Sequence, residues 1–260
     1  MKNIKLIYQK DEDGLPLYQH TFDLISSIKK YNWWNKTNIE YTTDESSFQE
    51  GDIFSGSVEY CFQKLKEYYN IEETYSLTNQ MIYMNEKFFE RKLILGNINS
   101  FDKLIKEHNE GIFVKPLNMT KLFNGSFIEN ERQFNLLVDS NIESSVPFLY
   151  STHIDILSEY RLWIHKNEIL SVKLYLGDTL NDNNYFLDKK LVMECIQDFS
   201  NITYNKTPEL YTLDFAVLKN GKTSLIEIND IFGTGTYGFD NMNFFENYYK
   251  RFKQVIDGKY

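Results

Sequence analysis

Apolar positions in the first seventy residues follow two different periods. NIKLIYQ (3–9) is a short apolar run bounded by charge and predicts a strand. TFDLISSIKKY (21–31) sets Leu24, Ile25 and Ile28 at helical spacing and predicts a helix with one apolar side. GDIFSGSVEYCFQKLKEYYN (51–70) passes from a short strand through a Ser55-Gly56-Ser57 turn into a helix, a small α/β unit. A shift in composition near Glu72–Glu73 marks where that unit can end.

From Lys87 the pattern changes. RKLILGN reads equally as a strand or as the end of a helix, whereas Ser100 is placed to cap a helix over FDKLIKEHN. GIFVKPL (111–117) predicts a buried strand that carries Lys115 and stops at Pro116. After a polar connection, NMTKLFNGS (118–126), and FIENERQFNLLVD, the second half predicts hairpins. EYRLWIHKNEILSVKLYLGD (159–178) turns near Lys166-Asn167, and YTLDFAVLKNGKTSLIEIND (211–230) turns at Asn220-Gly221, the strongest short turn signal in the chain. Between them DKKLVMECIQDF (188–199) predicts a helix with Leu191, Val192, Cys195 and Ile196 inward. An aromatic-rich helix over roughly 242–257 closes the chain. The fold class predicted is α+β, with an α/β N-terminal part.

The Asn220-Gly221 turn sets a register. With a two-residue loop, Lys219 faces Lys222, Val217 faces Ser224, and Asp214 faces Glu227. One face then carries Leu213, Phe215, Val217, Ile226 and Ile228 as core, and the other carries Asp214, Glu227 and Asn229. Like charges directly opposed on a sheet are destabilising, so this pair calls for a cation or a shared proton. An all-oxygen set suits Mg²⁺ better than zinc. The bland alternative is a carboxylate solvated at a sheet edge. Three glycines, Gly233, Gly235 and Gly238, follow the strand within six residues and favour the site reading.

Candidate cations come from three places. Lys115 sits inside an apolar strand and needs an anion, either a bound phosphate or an internal acid. Arg161, between Tyr160 and Leu162, offers a fork for phosphate oxygens or a salt bridge to an acid such as Glu159. A two-residue turn at Lys166-Asn167 makes Arg161 face Val172 and sends Lys173 to the other side. Only a bulge or a three-residue loop lets both serve one pocket. In the polar connection, Lys121 and Gly125 can close over phosphates or simply line a surface loop.

Composition narrows the classes. With 260 residues, 42% of them hydrophobic and 16% aromatic, the chain forms one large domain or two small ones. The aromatics come with many Asn, Lys and Ile residues throughout, so single Tyr or Phe residues carry little functional weight. A net charge of −9, a pI near 5.1 and the lack of any basic block argue against nucleic acid as a partner. A local basic pocket for a small anion stays open. Cys61 and Cys195 form no CxxC pattern and read as free buried thiols of a reducing compartment. Neither a signal peptide nor a run near the ~18 apolar residues of a membrane span is visible, so a soluble cytoplasmic protein is expected.

Taken in order, KPLNMTKLF (115–123), SEYRLWI (158–164) and EINDIFGTGTYG (227–238) resemble the ATP-grasp superfamily, in particular a group of phage and bacterial members of mostly unassigned substrate. The likeness spans roughly residues 87–240. It implies two α+β lobes sandwiching ATP, preceded by a small pre-grasp α/β domain, with expected boundaries 1–75, 76–150 and 151–260. Lys115 and Lys121 would contact phosphates, and Arg161 with Lys173 would steady the γ-phosphate or an acyl phosphate. Asp214, Glu227 and Asn229 would hold Mg²⁺. Residues 144–155 would supply the adenine hinge, mostly through backbone groups. The implied activity is an ADP-forming ligase that phosphorylates a small-molecule or peptide carboxylate and joins it to an amine or a related nucleophile. The alternatives are a protein of this fold that binds nucleotide as a sensor or partner-binding module, and an α+β interaction protein without nucleotide. Two departures from the family pattern stand out: the covering loop has Gly125 alone, and no acid marks the ribose hinge.

Overall fold

The computed structural model describes residues 4–71, 77–117, 122–138, 142–177, 186–239 and 243–258. Among them are three sheets, each with its own apolar cluster. The first sheet is parallel, with β1 (Lys5–Tyr8) between β2 (Glu40–Thr42) and β3 (Ile53–Ser55). Its crossover is α1 (Gln19–Asn35), and α2 (Val58–Tyr69) follows β3, begun by Ser57, whose hydroxyl accepts from the Tyr60 N–H. Leu6, Leu24, Ile28, Ile53 and Leu65 pack here together with Phe245, Tyr248 and Phe252 of the last helix, α6 (Phe244–Ile256). The two ends of the chain thus share one core. Buried Arg251 of α6 pairs with Asp230, which ties that helix to the end of the hairpin.

The second sheet is antiparallel, order β4-β7-β5-β6, from β4 (Leu93–Gly96), β5 (Ile112–Pro116), β6 (Ser126–Ile128) and β7 (Phe148–Thr152). RKLILGN is therefore a strand. Helices α3 (Phe101–Glu107) and α4 (Glu131–Leu137) meet through the stacked rings of Phe101 and Phe134. Ser100 makes no side-chain cap on α3. Its hydroxyl accepts instead from the Asn97 N–H, inside a capping box that starts the preceding 3-10 turn.

The third sheet, order β11-β10-β8-β9, is built from the two expected hairpins: β8 (Ile156–His165) with β9 (Glu168–Leu176), and β10 (Leu210–Leu218) with β11 (Thr223–Asp230). Helix α5 (Lys189–Thr203), capped by Asp188, covers one face with Val192, Cys195, Ile196 and Phe199. Leu77, Met81, Met84, Phe88 and Phe89 join this same cluster, so the segment before β4 packs on the third sheet. Both cysteines are free and buried, and burial pushes the Cys61 thiol up to about 12. No helix among the described residues is long and apolar enough to cross a membrane.

Both hairpins depart from the simple register. In β10–β11 the loop has three residues: Gly221, at φ 81, donates to the Leu218 carbonyl, and Leu218 donates to the Lys222 carbonyl. Leu218 and not Lys219 is therefore the residue bonded to Lys222, and Val217 faces Thr223 and not Ser224. One extra residue, Ile226, then bulges out of β11, and the next pair is Asp214 opposite Glu227. The expected pairing of the carboxylates is present, reached by a longer loop and a compensating bulge. The bulge also removes Ile226 from the core face, where Leu225 takes its place. In β8–β9 the two-residue turn forms as expected, Lys166 and Asn167 having φ 48 and 66. A bulge at Leu170 follows it, so Arg161 faces Lys173, and Val172 faces Leu162.

Candidate functional site

These shifts align four charged residues in one row across the sheet. Read along β11-β10-β8-β9, the paired positions are Glu227, Asp214, Arg161 and Lys173. Alternation along each strand puts them opposite the face that packs on α5. Two acids meet two bases in four adjacent strands.

At the centre of the row a fork joins Arg161 to Asp214: Nε donates to Oδ1 at 2.8 Å and Nη2 to Oδ2 at 2.6 Å. The internal acid that Arg161 finds is Asp214 and not Glu159. Nη1 donates to the Gly235 carbonyl at 2.9 Å, and the rings of Tyr175 and Tyr237 lie 5.6 and 5.0 Å from the guanidinium carbon. Both partners are buried. Burial opposes the Arg161 charge, yet Asp214 outweighs it and the guanidinium pKa is raised. Burial raises the Asp214 carboxyl as well, with Arg161 pulling it back and Glu227 adding to the rise.

Glu227 looks across the cleft. Its Oε1 accepts from Lys115 Nζ at 2.9 Å, a bond between the second and third sheets. The Asn229 amide, one row along, donates to Glu227 Oε2 at 3.1 Å and to Asp214 Oδ2 at 3.4 Å. The structure thus gathers Lys115, Arg161, Asp214, Glu227 and Asn229, and sets Lys173 at the end of their row. Lys173 is half-buried and makes no ion pair among the described residues. Lys121 lies outside the described residues, whereas Gly125 lines the cleft against Phe113 and Lys115.

The cleft between the two sheets is a cavity of about 400 Å³. Leu93, Phe113, Leu149, Ile156 and Ile226 form its apolar walls, Lys115 and Glu227 its charged end. Ser151, Thr152, His153 and Ile154, where the chain passes from β7 to β8, also line it. A mostly apolar cleft with a few convergent polar groups is the usual form of a small-ligand site.

Arg91, which sequence reasoning did not single out, also lines this cavity. Its Nη1 donates to Ser224 Oγ at 3.1 Å and to the Leu225 carbonyl at 2.6 Å, and its Nη2 to the Ile226 carbonyl at 2.9 Å. Burial lowers its pKa to about 10 against the opposing pull of Glu227 and Glu159. One arginine ahead of an ambiguous apolar segment carries no periodic or spacing signal, so nothing in the sequence distinguishes it.

The donor set can be tested against a cation. No group of three or more His, Cys, Asp or Glu side chains gathers among the described residues. Two carboxylates are present, with an amide whose half-turn would offer its oxygen. That set fits Mg²⁺, which takes one or two carboxylates and completes its shell with water and phosphate oxygens. The opposed carboxylates, with Asp214 raised, are where added positive charge is favoured.

Two antiparallel sheets with a ligand-sized cleft between them, a lysine on one and a row of acids and bases on the other, define the ATP-grasp fold here. Solved structures bear this out. The D-alanine–D-alanine ligase of Bacillus anthracis matches with a TM-score of 0.56 at 12% identity, over 100% of this chain and 97% of that one. The Helicobacter pylori D-alanine–D-alanine ligase matches at 0.52 and 16% identity, over 95% and 98%. The ATP-grasp ligase PsnB, complexed with minimal precursor, Mg and ADP, matches at 0.50 and 9%, over 93% and 94%. At such identities the likeness establishes the fold. The chain belongs to the family described as ATP-grasp domain, R2K clade family 2, which matches residues 88–247. A comparison with curated protein sequences gave no match.

Proposed function

We propose that this protein is an ATP- and Mg²⁺-dependent, ADP-forming ligase that activates a carboxylate as an acyl phosphate and couples it to an amine. The observation that carries the reading is the row Glu227-Asp214-Arg161-Lys173 facing Lys115 across an apolar cleft. Asp214, Glu227 and Asn229 are the residues that would hold the metal. Bound Mg²⁺ supplies charge neutralisation at the phosphates. The apolar walls by residues 151–154 suit a base, and the charged end suits the phosphates.

Each acid of the pair has an internal cation, Arg161 for Asp214 and Lys115 for Glu227. Lys115 is the residue that would turn toward phosphate oxygens, while Arg161 keeps its place, held also by Gly235. Lys173, the base in the row without an internal acid among the described residues, is the group to meet an acyl phosphate. Catalysis of this kind is positioning and charge neutralisation, with no protein nucleophile. The substrate class that fits best is an amino acid or peptide: two of the solved relatives are D-alanine–D-alanine ligases and another is bound to a precursor. The cytoplasm, which supplies ATP, is the expected location.

Thermal denaturation with ATP, with and without Mg²⁺, tests the site. The wild type should gain metal-dependent stability that Asp214→Asn and Glu227→Gln lose. A wild type indifferent to ATP and Mg²⁺ sinks the reading. ADP release on mixing with amino-acid and peptide pools then tests the chemistry, and intact ATP across a broad panel would leave nucleotide binding without ligation.

A further inference from the structure

Arg91 is half-buried near Glu227 and Glu159 and, among the described residues, makes no ion pair with either. Its hydrogen-bond partners there are three neutral oxygens of one short stretch, Ser224 to Ile226. Its neighbour Glu90 grips the same stretch, its N–H donating to Ser224 Oγ at 3.2 Å and its carboxylate pairing with Lys222 at 2.7 Å. The strand they hold, β11, is the edge of the third sheet and has no second partner strand among the described residues. Ile226 is its bulged residue.

Register arithmetic shows what the bulge does. Next to the loop the pairs are Ala216 with Ser224 and Phe215 with Leu225. Continued without a bulge, that register sets Asp214 against Ile226 and Leu213 against Glu227. Glu227 would then point into the core cluster, since a slip of one residue exchanges the two faces of a strand. A bulge on an edge strand, flanked by a three-residue loop, has few intrinsic constraints. A planar fork that takes two successive carbonyls supplies one, because it fits only the locally curved backbone.

We infer that Arg91 is a positioning residue for the carboxylate pair: by gripping the Leu225 and Ile226 carbonyls it fixes the bulge that turns Glu227 onto the Asp214 face. The functional consequence rests on the proposed metal-holding role of that pair; the grip itself does not. Arg91 leads directly into β4, so the same grip also fixes the separation of the two sheets that bound the cleft.

The test uses the whole ligand-free protein and amide hydrogen exchange over residues 223–230 in wild type, Arg91→Met, Arg91→Lys and Ser224→Ala. Arg91→Met should exchange about tenfold faster or more at 226–228, the effect of losing one charged hydrogen bond, while β8–β9 is unchanged. Arg91→Lys keeps the charge without the fork and should lose most of the same protection; Ser224→Ala should lose less. Where Arg91→Met does not fold, the other two variants carry the measurement. The second arm is the Mg²⁺ concentration that half-saturates ATP-dependent stabilisation, which should rise about tenfold in Arg91→Lys. Unchanged protection at 226–228 in folded Arg91→Lys and Ser224→Ala overturns the inference. So does unchanged Mg²⁺ dependence when protection is lost. A wild type without metal-dependent ATP stabilisation overturns the ligase reading instead, and the exchange result then decides the grip by itself.

Discussion

The two hairpins of the third sheet turn differently and arrive at the same row. In β8–β9 a two-residue loop is followed by a bulge at Leu170, which sets Lys173 against Arg161. In β10–β11 a three-residue loop is followed by a bulge at Ile226, which sets Glu227 against Asp214. Each bulge shifts its outer strand by one position relative to what the loop alone dictates. The inner strands β8 and β10 keep an unbroken register around Asp214 and Arg161. The difference lies in what the outer strands carry. Lys173 has no acid partner among the described residues, whereas Glu227 is held by Lys115 and Asn229. The row is thus a buried central pair flanked by two outer residues that bulges place.

The contrast can be broken most severely at its centre. Asp214→Asn leaves the buried Arg161 guanidinium without a countercharge and should cost about 3 kcal/mol in urea denaturation. The same variant should abolish metal-dependent stabilisation by ATP; a cost below about 1 kcal/mol would mean the central pair is not what holds the row. Glu227→Gln should cost less, about 1 kcal/mol, because Glu227 is a third exposed and the amide can still accept from Lys115. Its metal dependence should nevertheless fall as far as that of Asp214→Asn. Lys173→Ala should leave stability within about 0.5 kcal/mol and weaken ATP-dependent stabilisation or turnover about tenfold, a separation that a structural lysine would not produce.

The smallest effect is a pH slope whose sign differs between the two acids. Burial works to raise the Glu227 carboxyl, but Lys115 and Asn229 outweigh it and hold it below its ordinary 4.5. A depressed folded value means that its contribution is present above pH 4.5 and lost as pH falls through the folded pKa. Asp214, raised by burial, contributes with the opposite sign: its share is present below its ordinary 3.8 and lost as pH rises. Glu227→Gln should therefore flatten the acid limb of the stability profile measured by urea titration. A limb as steep as in the wild type would show that Lys115 does not hold Glu227 in solution.

Periodicity was enough for α1, α5, α6 and the two hairpins, because each such element must bury one face whatever it packs against; it left β4 open and did not mark β2, β6, β7 or α4. Leu24, Ile25 and Ile28 of α1 and Val192, Cys195 and Ile196 of α5 follow from spacing. Lys115, Arg161, Asp214, Glu227 and Asn229 were legible as candidates because charge and amide groups interrupt otherwise apolar strands. Asp214 opposite Glu227 was legible too, but the cations that hold them were not. The alternation of one isolated strand says nothing of a bulge, and both bulges lie where sequence carries no signal beyond an ordinary apolar residue, Leu170 or Ile226. Ser100 shows the same limit: it stands at the position of a cap, yet the neighbouring Asn97 draws its hydroxyl into a different turn.

Local spacing and the chemistry carried by each side chain were enough for most of the elements in their order, for the family to which the motifs point and for the residue types of the candidate site. Which groups meet depends on packing: Arg161 with Asp214, Lys115 with Glu227, Arg91 with the backbone of the bulge. These pairs span between 53 and 135 positions of sequence: Arg161 meets Asp214 because β8 and β10 pair within one sheet, and the other two form where the second sheet and the residues leading into it lie against the third. A local pattern has no means to record that distance.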